Sequence, residues 1–189
     1  MAAQTEKITL GTGTLIVNSV DVGHLKGDVE FAYTIERVEF KPSAMLGVVK
    51  VFKIREDAQI RATVAELKMS NLKLAMGSTT TIGASQSFPE EVEGSNSCQY
   101  SVPNASYSFD VLTFGGDKST DEFCLRFTHE RPDGKKFHII LYRAVAIGEF
   151  TLPFHEDDIN LYDIAFKGLA DEDRTAGDQI GVLVEEVQN

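Results

Sequence analysis

The sequence predicts a mainly β protein: one domain over residues 1–189, built as a β-sandwich or barrel with one flanking helix at about residues 65–76. Three observations predict it. The run GDVEFAYTIE (Gly27 to Glu36) sets Val29, Phe31, Tyr33 and Ile35 against Asp28, Glu30, Thr34 and Glu36, the period-2 mark of a half-buried strand. Phe123 to Thr128 and Lys136 to Val145 flank Arg131-Pro132-Asp133-Gly134, a strong hairpin turn. Only Ala65 to Met76 offers a run of good helix formers that stops at a natural terminator, Gly77.

Ile8 to Val17 offers one or two short strands around Gly11-Thr12-Gly13, a turn that lacks the third glycine and following helix of a phosphate cradle. After Gly27 to Glu36, the segment Arg37 to Met45 is broken at Pro42-Ser43, and Leu46 to Ile54 reads as a β-branched strand. Glu56-Asp57 reads as a turn into the next strand, where Ile60, Ala62 and Val64 alternate with Gln59, Arg61 and Thr63. In the helix that follows, Ala65, Met69, Leu72 and Met76 share one stripe, and Leu67 and Leu74 fall almost opposite. A helix apolar on two sides suggests a second neighbour, such as another subunit; simple exposure of the two leucines is the alternative. Ser78 to Ser97 is a long polar loop, followed by strand candidates at Cys98 to Val102, Tyr107 to Phe114, Ile164 to Leu169 and Ile180 to Val187.

Composition narrows the function classes. Hydrophobic and charged fractions of 42% and 25% are those of a soluble globular domain. No stretch approaches the ~20 apolar residues that span a bilayer, and the N-terminus lacks the basic and apolar regions of a secretory signal. Cys98 and Cys124, without CxxC spacing, read as two buried or partly buried thiols. A formal charge of −11 disfavours tight duplex binding; it suits solubility, and equally a surface past which DNA must slide.

Catalytic signals are weak. His155-Glu156-Asp157-Asp158 gathers metal-ligand types, but adjacent side chains diverge, so a solvated acidic turn is the better reading and no metal or cofactor is expected. His129 and His138 flank the hairpin turn as an ordinary cross-strand pair rather than an acid–base pair. No serine sits in a nucleophile elbow, and no enzymatic activity is expected.

The order of parts carries a resemblance. A short strand pair, then LKGDVEFAYTIE, a Pro/Gly-broken excursion, a strand flowing into AELKMSNLKLAMG, and a late INLYDIAFKGLADEDRTAGDQIGVLVEE together resemble the major tail tube proteins of long-tailed bacteriophages and the type VI secretion tubes similar to them. The resemblance implies a virion structural protein, made in the host cytoplasm and placed in the tail. Its hexameric rings would stack into a hollow tube for genome delivery, each subunit giving four strands to a continuous inner β-barrel, and an extended loop or terminus bridging to the next ring. Its partners would be further copies and the tape-measure, terminator and distal tail proteins, with DNA passing through the lumen without specific binding. In that setting Asp28, Glu30 and Glu36 are candidates to line the lumen, and Leu67 and Leu74 to face a neighbouring subunit. The alternatives are a monomeric β-sandwich module that binds carbohydrate or a receptor, with the acidic turn at His155 as its best support, and a small metal-dependent jelly-roll enzyme.

Overall fold

Alternating side chains settle most of the architecture. The computed structural model describes residues 13–43, 46–77, 83–84, 110–111 and 120–187. Within these lie β1 (Thr14–Val17), β2 (Val20–Asp21), β3 (Glu30–Phe40), β4 (Lys50–Val64), α1 (Met69–Ala75), β5 (Gly83–Ala84), β6 (Asp110–Val111), β7 (Glu122–Glu130), β8 (Lys136–Ala146), β9 (Tyr162–Leu169) and β10 (Gly181–Glu185). Eight strands form one antiparallel sheet in the order β2-β1-β7-β8-β9-β4-β3, with β10 also paired to β8; β5 and β6 pair with each other. The chain is thus mainly β with one short helix. Among the described residues eight of the strands make one open antiparallel sheet, and β5 with β6 makes a separate two-stranded one.

One face of that sheet is the core. Phe123, Leu125 and Phe127 of β7 are buried while Glu122, Cys124 and Arg126 between them are exposed. Leu15 and Val17, Ile60 and Val64, Ile139 and Leu141, and Tyr162, Ile164 and Phe166 complete the layer. Phe166 meets Phe123 edge-on, with ring centroids 6.0 Å apart. Leu72, Leu74 and Ala75 of α1, together with Phe150, Leu152 and Ile180, pack against this core. The β7–β8 hairpin closes as expected, the Gly134 amide donating to the Arg131 carbonyl at 2.9 Å.

Three expectations change. The turn at Glu56-Asp57 does not exist: β4 runs unbroken through it, because Glu56 accepts a 2.7 Å hydrogen bond from the Tyr33 hydroxyl and Asp57 meets the Lys167 ammonium at 2.8 Å. The helix begins at Met69, not Ala65. Ahead of it the backbone is spent on tertiary bonds: the Ala65 amide donates to the His24 carbonyl at 3.0 Å, and the Glu66 carbonyl accepts from the Tyr162 hydroxyl at 2.6 Å. Cys124 is exposed on the outer face of β7 rather than buried. Cys98, most of the Ser78 to Ser97 loop and the strand candidate at Cys98 to Val102 lie outside the described residues, as does all of Tyr107 to Phe114 except Asp110 and Val111.

Candidate functional site: an exposed hairpin arm

β3 and β4 begin as ordinary members of the sheet. Phe31 pairs with Ile60 and Tyr33 with Ala58, and Phe31, Ile60 and Ala58 join the core. β4 is flanked by β9 only from Gln59 to Val64, so toward Lys50 its one partner among the described residues is β3. The register slips between Glu36, opposite Arg55, and Arg37, opposite Lys53, which leaves Ile54 as an extra residue on β4. Such a bulge bends a ribbon away from the sheet it left.

The apolar side also changes there. Before the slip the odd residues Phe31, Tyr33 and Ile35 are apolar; beyond it the even residues Val38 and Phe40 are, with Phe52 directly opposite Val38. Val38, Phe40 and Phe52 are 50%, 55% and 46% exposed. Lys50 stands 4.8 Å above the Phe52 ring. A two-stranded ribbon is marginal in water alone, and a contiguous exposed apolar patch marks an interaction surface. Charge sets this arm apart as well. Residues 36–55 hold five cations (Arg37, Lys41, Lys50, Lys53, Arg55) and two carboxylates (Glu36, Glu39), a local +3 in a chain of −11, so the remainder carries −14. The sequence held a signal for the arm: the phase of alternation breaks at Glu36-Arg37 in TIERVEF.

Glu30 and Glu36 share the exposed face of β3, and Asp28 is exposed just ahead of the strand. That face is mixed rather than acidic throughout, since Arg61 lies opposite Glu30 and Arg55 opposite Glu36. The two leucines part company. Leu67 is 51% exposed in the extended segment before α1, whereas Leu74 lies on α1 and packs against the core, so they share no helix face.

The approach to α1 is fixed by Glu66 and Asn71. Asn71 is buried and donates to the Val22 carbonyl at 2.6 Å. The Glu66 carboxylate accepts from the His24 amide at 3.0 Å and pairs with Lys68. Gly23 beside it takes φ +94°, which favours glycine, and a Cβ there would lie 2.6 Å from the Glu66 carboxyl carbon and push that carboxylate aside. The Lys68 ammonium and the His24 amide hold the Glu66 carboxyl below the usual carboxylate range. A depressed folded pKa stabilises the fold above the unfolded value of about 4.3, and this is lost as pH falls through the folded value. Glu66→Gln should therefore lower stability to urea at pH 7, with its unfolding curve converging on the wild type below about pH 4. A gap unchanged from pH 7 to pH 3 would contradict this role.

The candidates for metal or acid–base chemistry do not assemble. Thr128, not His129, lies opposite His138, and the Thr128 hydroxyl is 2.9 Å from the His138 Nδ1; His129 lies opposite Phe137, on the other face. His155, Glu156, Asp157 and Asp158 are all exposed, and Asp158 accepts from the Ile159 amide at 2.7 Å. Among the described residues no three of His, Cys, Asp and Glu are placed to hold a metal ion, and no helix is long and apolar enough to cross a membrane. No protein-family model matches the sequence, and no curated protein matches it.

Proposed function

We propose that this chain is a structural tube protein of a phage tail, whose copies form hexameric rings stacked into a hollow conduit for the genome. The observation that carries the reading is the arm: a two-stranded ribbon with no further partner strand among the described residues, apolar, exposed and basic in an otherwise acidic chain. Such an element gains stability only by seating on another surface, and the sequence resemblance implies that the surface is a neighbouring copy, reached by an extended loop that bridges rings. Asp28, Glu30 and Glu36 then line the lumen and keep DNA from adhering, six copies per ring adding up, with Arg55 and Arg61 opposite two of them offsetting part of that charge. Changing all three to Lys should slow genome ejection from assembled particles; normal ejection would remove them from that role.

Leu67 faces a neighbour within the ring, while Leu74 serves the fold. Leu67→Ser should weaken ring formation with little change in unfolding, and Leu74→Ser should lower stability by about 1–3 kcal/mol, as expected for a partly buried leucine. The reverse pattern would overturn the assignment. Sedimentation across a wide concentration range tests the reading as a whole. Ring-sized species, alone or nucleated by other tail components, are the expected result; a strict monomer, with no tail structure labelled by antibody against the protein, is the contrary one.

A further inference from the structure

β10 is held along one edge only. Gly181 to Glu185 pair with Leu141 to Phe137 of β8, and among the described residues no strand takes the other edge. Gly181, Val182 and Leu183 instead line a cleft of about 590 Å³, with Ile54 and Ala58 of β4 also in its lining. Side-chain burial adds little, since Leu183 and Val184 are 54% and 38% exposed. β8 keeps its place without β10, because β7 pairs along its other edge. A strand with few buried contacts opens at a lower free energy than the sheet around it.

The two ends of β10 are secured in different ways. Its start is locked into the body. Ile180 packs against the core, so close to Gly168 that a Cβ there would lie 2.9 Å from its Cγ2, and its carbonyl accepts from the Tyr142 amide at 3.2 Å. The Tyr142 hydroxyl donates to Asp178 at 2.6 Å, and the Arg174 guanidinium lies 3.5 Å from the centre of the Tyr142 ring. Gly181 follows, a flexible joint where a Cβ would meet the Ile140 carbonyl oxygen at 2.3 Å. The far end is held by charge. Arg131, in the β7–β8 turn, is buried and donates to the Glu185 carboxylate at 2.6 Å, with Asp133 3.4 Å from its Nε. Glu186 donates its amide to the Lys136 carbonyl and accepts the Lys136 amide on its carboxylate, both at 3.0 Å. His138 Nε2 lies 3.7 Å from the same carboxylate.

We propose that β10 is a strap, hinged at Gly181 and latched at Arg131, that swings off β8 while the rest of the sheet stays folded. Opening breaks the charged bonds of Glu185 and Glu186 and leaves those around Tyr142 and Ile180 intact, so the latch sets how often the strap is open. A buried guanidinium favours the closed state, because opening takes away one of its two carboxylates. The open state uncovers the Phe137 to Leu141 edge of β8 and removes one wall of the cleft. The strap belongs to the single subunit and needs no second copy.

Hydrogen exchange read residue by residue on the full chain tests the strap. In the wild type the amides of Val182 to Glu185 should exchange sooner than those of Ile60 to Val64 in β4 and Ile164 to Phe166 in β9. Glu185→Gln keeps the shape of the latch and removes its charge. It should speed exchange about tenfold, evenly from Val182 to Glu185, with β4 and β9 unchanged. A gradient, in which Glu185 speeds up and Val182 does not, would mean that the strand end frays and would overturn the hinge. Equal acceleration in β9 would mean that Glu185 serves the whole fold and would overturn the strap as a separate unit. β10 amides as slow as those of β9 in both proteins would overturn the proposal outright. Ring formation plays no part in any of these results, so they leave the tube reading to its own test.

Discussion

Replacing Val38, Phe40 and Phe52 together by Ser should abolish assembly while leaving the body of the protein folded. All three are about half exposed and lie beyond the last residue that β9 supports, so each should change unfolding by no more than about 0.5 kcal/mol. At an interface the same side chains act as anchors, and truncating an anchor costs about 1–2 kcal/mol. Three together remove about 3–6 kcal/mol per contact, a loss of 10²- to 10⁴-fold in affinity. Sedimentation should show only the smallest species at concentrations where the wild type assembles, with the urea midpoint nearly unmoved. A large drop in the urea midpoint would instead place these residues in the fold.

Phe166→Ala should have the largest effect on stability. Phe166 is fully buried on β9, paired with Ile60 of β4 on one side and Ala146 of β8 on the other, with Phe123 edge-on across the core. Strands on both sides prevent collapse into the space left by the ring, so the lost transfer energy and the cavity add. The expected cost is about 3–5 kcal/mol, a large part of the 5–15 kcal/mol typical of a domain. Unfolding in urea at neutral pH checks this, and a loss below about 1 kcal/mol would mean that the site relaxes to fill the void.

Legibility in the sequence followed how local each determinant was. The β7–β8 hairpin could be read because Arg131 to Gly134 fixes the turn and Phe123, Leu125 and Phe127 keep one phase up to it. The helix start could not, because Ala65 to Lys68 are good helix formers held extended by partners distant in sequence, His24 and Tyr162. Glu56-Asp57 looked like a turn for the same reason: Tyr33 and Lys167, which hold those carboxylates within a strand, are invisible locally. The arm was read as a broken segment, Arg37 to Met45, followed by a separate strand, Leu46 to Ile54, since Pro42-Ser43 marks the tip of one hairpin as readily as a break between elements. Glu30 and Glu36 were correctly assigned to the exposed face of β3, whereas Asp28 falls just ahead of that strand. The cations opposite them on β4 became evident only with the register, in which Arg61 meets Glu30 and Arg55 meets Glu36.

Negative-stain electron microscopy of the purified protein, at rising concentration and low salt, tests the central claim most directly. The account predicts rings with an open centre that stack into tubes, and their loss when the arm carries Val38→Ser, Phe40→Ser and Phe52→Ser. Uniform single particles of monomer size at every concentration, indistinguishable between wild type and variant, would contradict it.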